Sequence, residues 1–122
     1  MDGLHLTADL HACRADAAAL RDVEALRALC LAAVEAAGLQ PVAQVFHVFP
    51  EAGGATGVVL LAESHLAVHT WPELDAVTVD VYVCNYGQDN SAKARQLMES
   101  LIASFAPQQI ERHALTRGGR AA

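Results

Sequence analysis

The chain has 122 residues, about half of them apolar, with eight Lys and Arg against fourteen Asp and Glu and a formal net charge of −6. That length allows one small domain around a single hydrophobic core, and the composition is globular rather than disordered. The basic residues form no patch for nucleic acid or an anionic membrane, and no apolar run reaches the ~20 residues of a membrane-spanning helix.

The start, Met1-Asp2-Gly3-Leu4, lacks the basic and apolar segments of a signal peptide. Cys13, Cys30 and Cys84 are scattered, odd in number and without a CxxC pair, as expected of a protein of the reducing cytoplasm. From Leu4 to His11 apolar and polar residues alternate, the period of a half-buried strand. From Leu20 to Ala37 the period changes to three and four residues, which predicts one helix, with Gly38 as its stop and Pro41 just beyond. Val42 to Phe49 reads as a second strand, and the segment from Pro50 to Gly54 as a turn. Gly57–Ala62 and Leu66–Trp71 are predicted strands separated only by Glu63, Ser64 and His65, so their junction must be tight.

Pro72 ends that run, and Val77 to Cys84 forms the next strand. The loop from Asn85 to Asn90 supplies a helix cap, Asp89 or Asn90. Ala94, Leu97, Met98, Leu101, Ile102 and Phe105 mark a second amphipathic helix, which Pro107 closes. Ile110 to Leu115 is a short last strand or an irregular tail, and the basic cluster from Arg112 to Arg120 is read as keeping that tail solvated. Two helices and a mostly antiparallel sheet make an α+β two-layer sandwich, one domain over residues 1–122, with both helices on one face. Thr78, Asp80, Tyr82 and Cys84 share one side of their strand, and His65, Ala67, His69 and Trp71 one side of theirs. Together these two sets predict a single polar surface.

The block Leu61-Ala62-Glu63-Ser64-His65-Leu66-Ala67-Val68-His69-Thr70-Trp71-Pro72-Glu73, followed by Val79-Asp80-Val81-Tyr82-Val83-Cys84, resembles the small prokaryotic S-adenosylmethionine decarboxylases. Their signature is ESH-x-x-x-HTWPE with a downstream D-V-x-x-C, and the likeness extends over nearly the whole chain. It implies that the chain is a precursor that cleaves itself between Glu63 and Ser64 into a β chain (1–63) and an α chain (64–122). Ser64 Oγ attacks the Glu63 carbonyl, an ester replaces the peptide bond, and β-elimination leaves a dehydroalanine. Its hydrolysis releases ammonia and leaves a covalent pyruvoyl cofactor. The pyruvoyl ketone forms a Schiff base with the substrate amine and accepts the electrons freed as CO2 leaves.

The resemblance further implies that His69 serves the elimination step, that Thr56 stands at a serine position that assists processing, and that Cys84 protonates the product carbanion. It assigns Phe49 to stacking on adenine, Glu73 to the ribose hydroxyls, and Asp9 to attraction of the sulfonium. It also implies a homodimer of cleaved protomers, with sites near the subunit interface, that supplies the aminopropyl donor for spermidine synthesis.

Three places depart from the family pattern: His11-Ala12 before the first cysteine, a loop one residue longer before Thr56, and Asn85-Tyr86-Gly87 after Cys84. A pyruvoyl-dependent ornithine or arginine decarboxylase of the same fold therefore stays open as an alternative; a non-catalytic homologue that activates a partner subunit is a further alternative, against which the joint presence of Ser64, His69 and Cys84 argues.

Taken singly, Ser64 reads as a turn serine, His69 as a hydrogen-bonded structural histidine, Cys84 as a buried thiol, and Trp71 and Tyr82 as packing residues. His65 and His69 sit ~13 Å apart on a strand, too far to share a metal ion, so no metal is expected. A Ser64–His69–Asp80 hydrolase lacks the G-x-S-x-G elbow.

Overall fold

The computed structural model describes residues 2–51 and 53–119. Six strands, β1 (Gly3–His11), β2 (Pro41–Val48), β3 (Ala55–Leu61), β4 (Ser64–Trp71), β5 (Ala76–Cys84) and β6 (Gln109–Arg117), form one antiparallel sheet in the order β2-β3-β4-β5-β1-β6. Helices α1 (Ala18–Arg21), α2 (Val23–Ala36) and α3 (Ser91–Phe105) complete the α+β fold, and no helix among the described residues is long and apolar enough to cross a membrane.

Alternation decides which side of the sheet is closed. Val77, Val79, Val81 and Val83 of β5 and Leu66 and Val68 of β4 are at most 1% exposed and belong to one core with Leu26, Cys30 and Val34 of α2 and Leu97, Leu101 and Phe105 of α3. The intervening residues, including those of the predicted polar surface, lie on the opposite, uncovered side.

Three expectations need correction. The predicted first helix is two helices, because Asp22 adopts an extended conformation and its carboxylate caps α2 by accepting from the Glu24 N–H at 2.9 Å. Continuous apolar periodicity across Leu20, Val23 and Leu26 hid that break. The described part of the basic C-terminal cluster is exposed, as expected of a solvating segment, but it is largely an ordered strand rather than a tail. β6 pairs with β1 along its whole length, the Arg112 guanidinium binds Glu99 of α3, and the Arg117 guanidinium lies over the Tyr82 ring. Arg120 lies outside the described residues. Pro72 does end β4, and it opens a 3-10 turn, Pro72–Leu74. Finally, the β3–β4 connection is tighter than three residues, since Leu61 pairs directly with Ser64 and only Ala62 and Glu63 lie between. Gly38 does stop α2, at φ 81°, with its N–H and that of Leu39 returning to the Glu35 and Val34 carbonyls.

Candidate active site

The open face carries the chemistry in two clusters at opposite ends of β4 and β5. The first is a cleft of about 250 Å³ lined by Phe49, Gly54, Ala55, Thr56, His69, Thr70, Trp71 and Glu73. Register builds it: Thr56 of β3 pairs with His69 of β4, and Thr56 Oγ1 lies 3.1 Å from His69 Nδ1. With the neutral ring protonated at Nδ1, Nδ1–H donates to the Thr56 hydroxyl oxygen and Nε2 is left as a free base able to take up a proton. Trp71, two residues along the same strand face, sets its ring 6.0 Å from His69 at 31°.

The walls of this cleft are braced. Phe49 and Gly54 are joined by a 2.8 Å bond from the Phe49 N–H to the Gly54 carbonyl, and the buried Thr70 hydroxyl accepts from the Ala55 N–H at 3.0 Å. A Cβ on Gly54 would stand 2.6 Å from the Thr70 carbonyl oxygen, so only glycine lets the two strands approach here. On the other wall, Glu73 lies in the 3-10 turn whose cap, Asp75, has φ 49°. Asp75 accepts from Arg21 Nη2 at 3.1 Å through its side chain and from the Cys13 N–H at 2.8 Å through its carbonyl. The Cys13 thiol pKa is raised, first by burial and then by this neighbouring carboxylate.

The second cluster is the β3–β4 hairpin with the end of β5. Two-residue hairpins favour central residues with positive φ, but neither Ala62 nor Glu63 has it. Ser64 follows at φ 159°. The Glu63 carbonyl accepts from the Cys84 N–H at 2.8 Å, and the Glu63 carboxylate accepts from the Gln40 N–H at 3.2 Å. A donor on that carbonyl draws electron density from its carbon, which favours attack by a nucleophile and stabilises the resulting oxyanion. The Cys84 Sγ accepts from the Tyr86 N–H at 3.4 Å. The intact hairpin therefore suits a group made from Ser64: an adjacent hydroxyl, a polarised carbonyl and a fixed thiol lie in one place.

Of the residues singled out in the sequence, Phe49, Thr56, His69 and Glu73 meet in the cleft, while Glu63, Ser64 and Cys84 meet at the hairpin. The two groups do not meet within the chain. Ser64 and His69 are five residues apart on one extended strand, ~16 Å at ~3.3 Å per residue. Asp9 pairs with Thr78, which pairs with His69, but it lies two strands from His69 and does not line the cleft. Trp71 does line it, beyond its packing reading. Asn90, read only as a possible cap, donates its side-chain amide to the Cys84 carbonyl at 2.9 Å. Its burial could not be read from a polar loop.

The S-adenosylmethionine decarboxylase family model matches residues 4–118. The chain belongs to this family. Among curated members, the S-adenosylmethionine decarboxylase proenzyme of Aquifex aeolicus is 41% identical over 116 residues, covering 95% of this chain and 81% of its own length. The proenzyme of Archaeoglobus fulgidus is 31% identical over 95% of this chain and 97% of its own. The crystal structure of the Aquifex aeolicus adenosylmethionine decarboxylase superposes with a TM-score of 0.87 and 39% identity, over 98% of this chain and 92% of that one. Membership in the S-adenosylmethionine decarboxylase family carries its enzyme class, a pyruvoyl-dependent decarboxylase, and its covalent cofactor made from a serine.

Proposed function

We propose that this chain is a precursor that cleaves itself at Glu63–Ser64 and then decarboxylates S-adenosylmethionine, supplying the aminopropyl donor for spermidine synthesis. The observation that carries the reading is the hydrogen bond from the Cys84 N–H to the Glu63 carbonyl, at the Glu63–Ser64 junction. Ser64 Oγ is the nucleophile and the polarised Glu63 carbonyl its target. His69, held by Thr56, moves the proton in the elimination that follows, and Cys84 returns a proton to the product. When present, the pyruvoyl group supplies an electrophilic carbonyl and an electron sink for loss of CO2. Phe49 offers an aromatic face to the adenine and Glu73 a carboxylate to the ribose, and the cleft between them favours a nucleoside over a bare amino acid. The unpaired thiols Cys13, Cys30 and Cys84 fit a reducing cytoplasm.

The separation of the two clusters supports a homodimer with composite sites. The middle of the open face is the cross-strand row Val45, Val58, Ala67, Asp80 and Thr7. A two-fold axis along this row, between two facing sheets, carries the hairpin end of one protomer onto the cleft end of its partner. Val45 is 72% and Leu60 48% exposed on this face, apolar surface that such packing would cover.

Intact mass tests the reading: cleavage should yield fragments parting at Glu63, with residue 64 lacking its amine, and a chain that stays whole sinks it. Assay against S-adenosylmethionine, ornithine and arginine should give CO2 from the first alone. For the composite site, Ser64→Ala and His69→Ala chains, each inactive alone, should regain activity when co-expressed, with only the His69→Ala chain cleaved. No recovery in the mixture would place each site within one protomer.

A further inference from the structure

Cys84 is the last residue of β5, where the ladder runs out, yet its backbone is fixed on both sides. Its N–H donates to the Glu63 carbonyl at 2.8 Å, and its own carbonyl accepts from Asn90 Nδ2 at 2.9 Å. Asn90 is 5% exposed, one of two buried polar residues among those described. Its N–H donates to Asn85 Oδ1 at 2.8 Å, and Asn85 is tied in turn to the Ser91 hydroxyl and, through its own N–H, to the Asp2 carbonyl.

The obvious reading of Asn90 is a helix cap, since it stands at the N-cap of α3. An N-cap asparagine ordinarily spends its side-chain oxygen on an amide of the first helical turn. Asn90 makes no such bond. The Ser91 N–H goes instead to Asp89 Oδ1, at 2.9 Å, and the buried Asn90 amide is turned toward Cys84. Burying an amide is costly unless it is hydrogen-bonded, and among the described residues the one bond its side chain makes is to this cysteine.

We propose that Asn90 is a positioning residue for Cys84. Its amide locks the end of β5, so that the Cys84 N–H stays on the Glu63 carbonyl in the precursor and the thiol stays fixed for proton delivery during turnover. The second role rests on Cys84 as the proton donor, as argued above; the first needs only the hairpin geometry.

Asn90→Asp, nearly isosteric, replaces the donor with a carboxylate oxygen that repels the Cys84 carbonyl, and Asn90→Ala removes it. In the full chain, both should slow cleavage at Ser64. In the cleaved fraction, kcat for S-adenosylmethionine should fall by roughly ten- to a hundredfold, the scale of a misplacement of up to about 1 Å. KM should stay within about twofold, because the variants leave Phe49 and Glu73, the residues proposed to hold the nucleoside, unchanged. Alkylation of Cys84 by iodoacetamide, read by peptide mass, should accelerate as the thiol loses its fixed setting. If the Asn90 variants do not fold, Asn85→Ala carries the test: it frees the Asn90 backbone but keeps its amide, and should shift the same readouts in the same direction. Wild-type cleavage, kcat and alkylation in Asn90→Asp or in Asn85→Ala, or a change in KM alone, would overturn the proposal. A wild-type chain that neither cleaves nor decarboxylates would strike the underlying functional reading instead.

Discussion

The two faces of the sheet use the same alternation to opposite ends. On the helix side, valines and leucines at 9% exposure or less pack with α2 and α3 and complete the core within one chain. On the open side lie all six histidines, with Thr56, Thr78, Asp9, Asp80, Tyr82 and Cys84, beside exposed Val45, Leu60 and Leu115. The closed face is finished. The open face is not, because its reactive groups stand in two clusters that one protomer keeps apart. Segregation of this kind lets a small chain hold buried polar chemistry without spending its core on it, provided a second copy covers the chemistry.

The sharpest way to break the comparison is to damage each face in turn. Phe105→Ala, at a fully buried position of α3, should lower stability in urea by about 3–5 kcal/mol. Val45→Asp with Leu60→Asp should leave folding within about 1 kcal/mol, yet shift sedimentation from dimer to monomer and abolish cleavage. If the open-face pair unfolds the chain as Phe105→Ala does, the two faces are not distinct in role.

The thiols give a smaller test. Burial raises the Cys30 thiol from 9.0 to about 12. The folded chain therefore refuses the thiolate that the unfolded chain accepts. Its contribution to stability is full below pH 9 and declines as pH climbs toward 12. Cys30→Val should flatten that alkaline decline in thermal melts recorded from pH 8 to 11. An unchanged slope would mean that Cys30 is not closed off in solution.

Smallest is the brace under the cleft. The Arg21–Asp75 pair is half-exposed, so Arg21→Ala should raise KM by roughly two- to fivefold, the worth of an exposed ion pair, with kcat and cleavage unchanged. A fall in kcat instead would tie the brace to the chemistry rather than to binding.

Much of this was legible in the residues. The alternation from Val77 to Cys84 placed four valines inside and Cys84 outside, as found, because the two-residue period of a strand is local geometry. Gly38 marked a helix end for an equally local reason, the conformation that a stop requires. The Glu63–Trp71 block identified the family, since a run of reactive and aromatic residues at fixed spacing is a property of the string itself. The break at Asp22 was missed because an N-cap within an unbroken apolar stripe is a single-residue signal set against a stronger periodic one.

What the string could not decide is who stands beside whom. Strand order β2-β3-β4-β5-β1-β6 brings the last strand beside the first, so that a presumed basic tail became an ordered edge with Arg117 against Tyr82. Register put Thr56 on His69, and a turn put Asn90 under Cys84. The sequence by itself determined the faces and the chemical repertoire, because both follow from residue type and period. Only the tertiary structure decided that the repertoire divides into a cleft and a hairpin at opposite ends of β4, because pairing between distant segments is set by packing of the whole sheet.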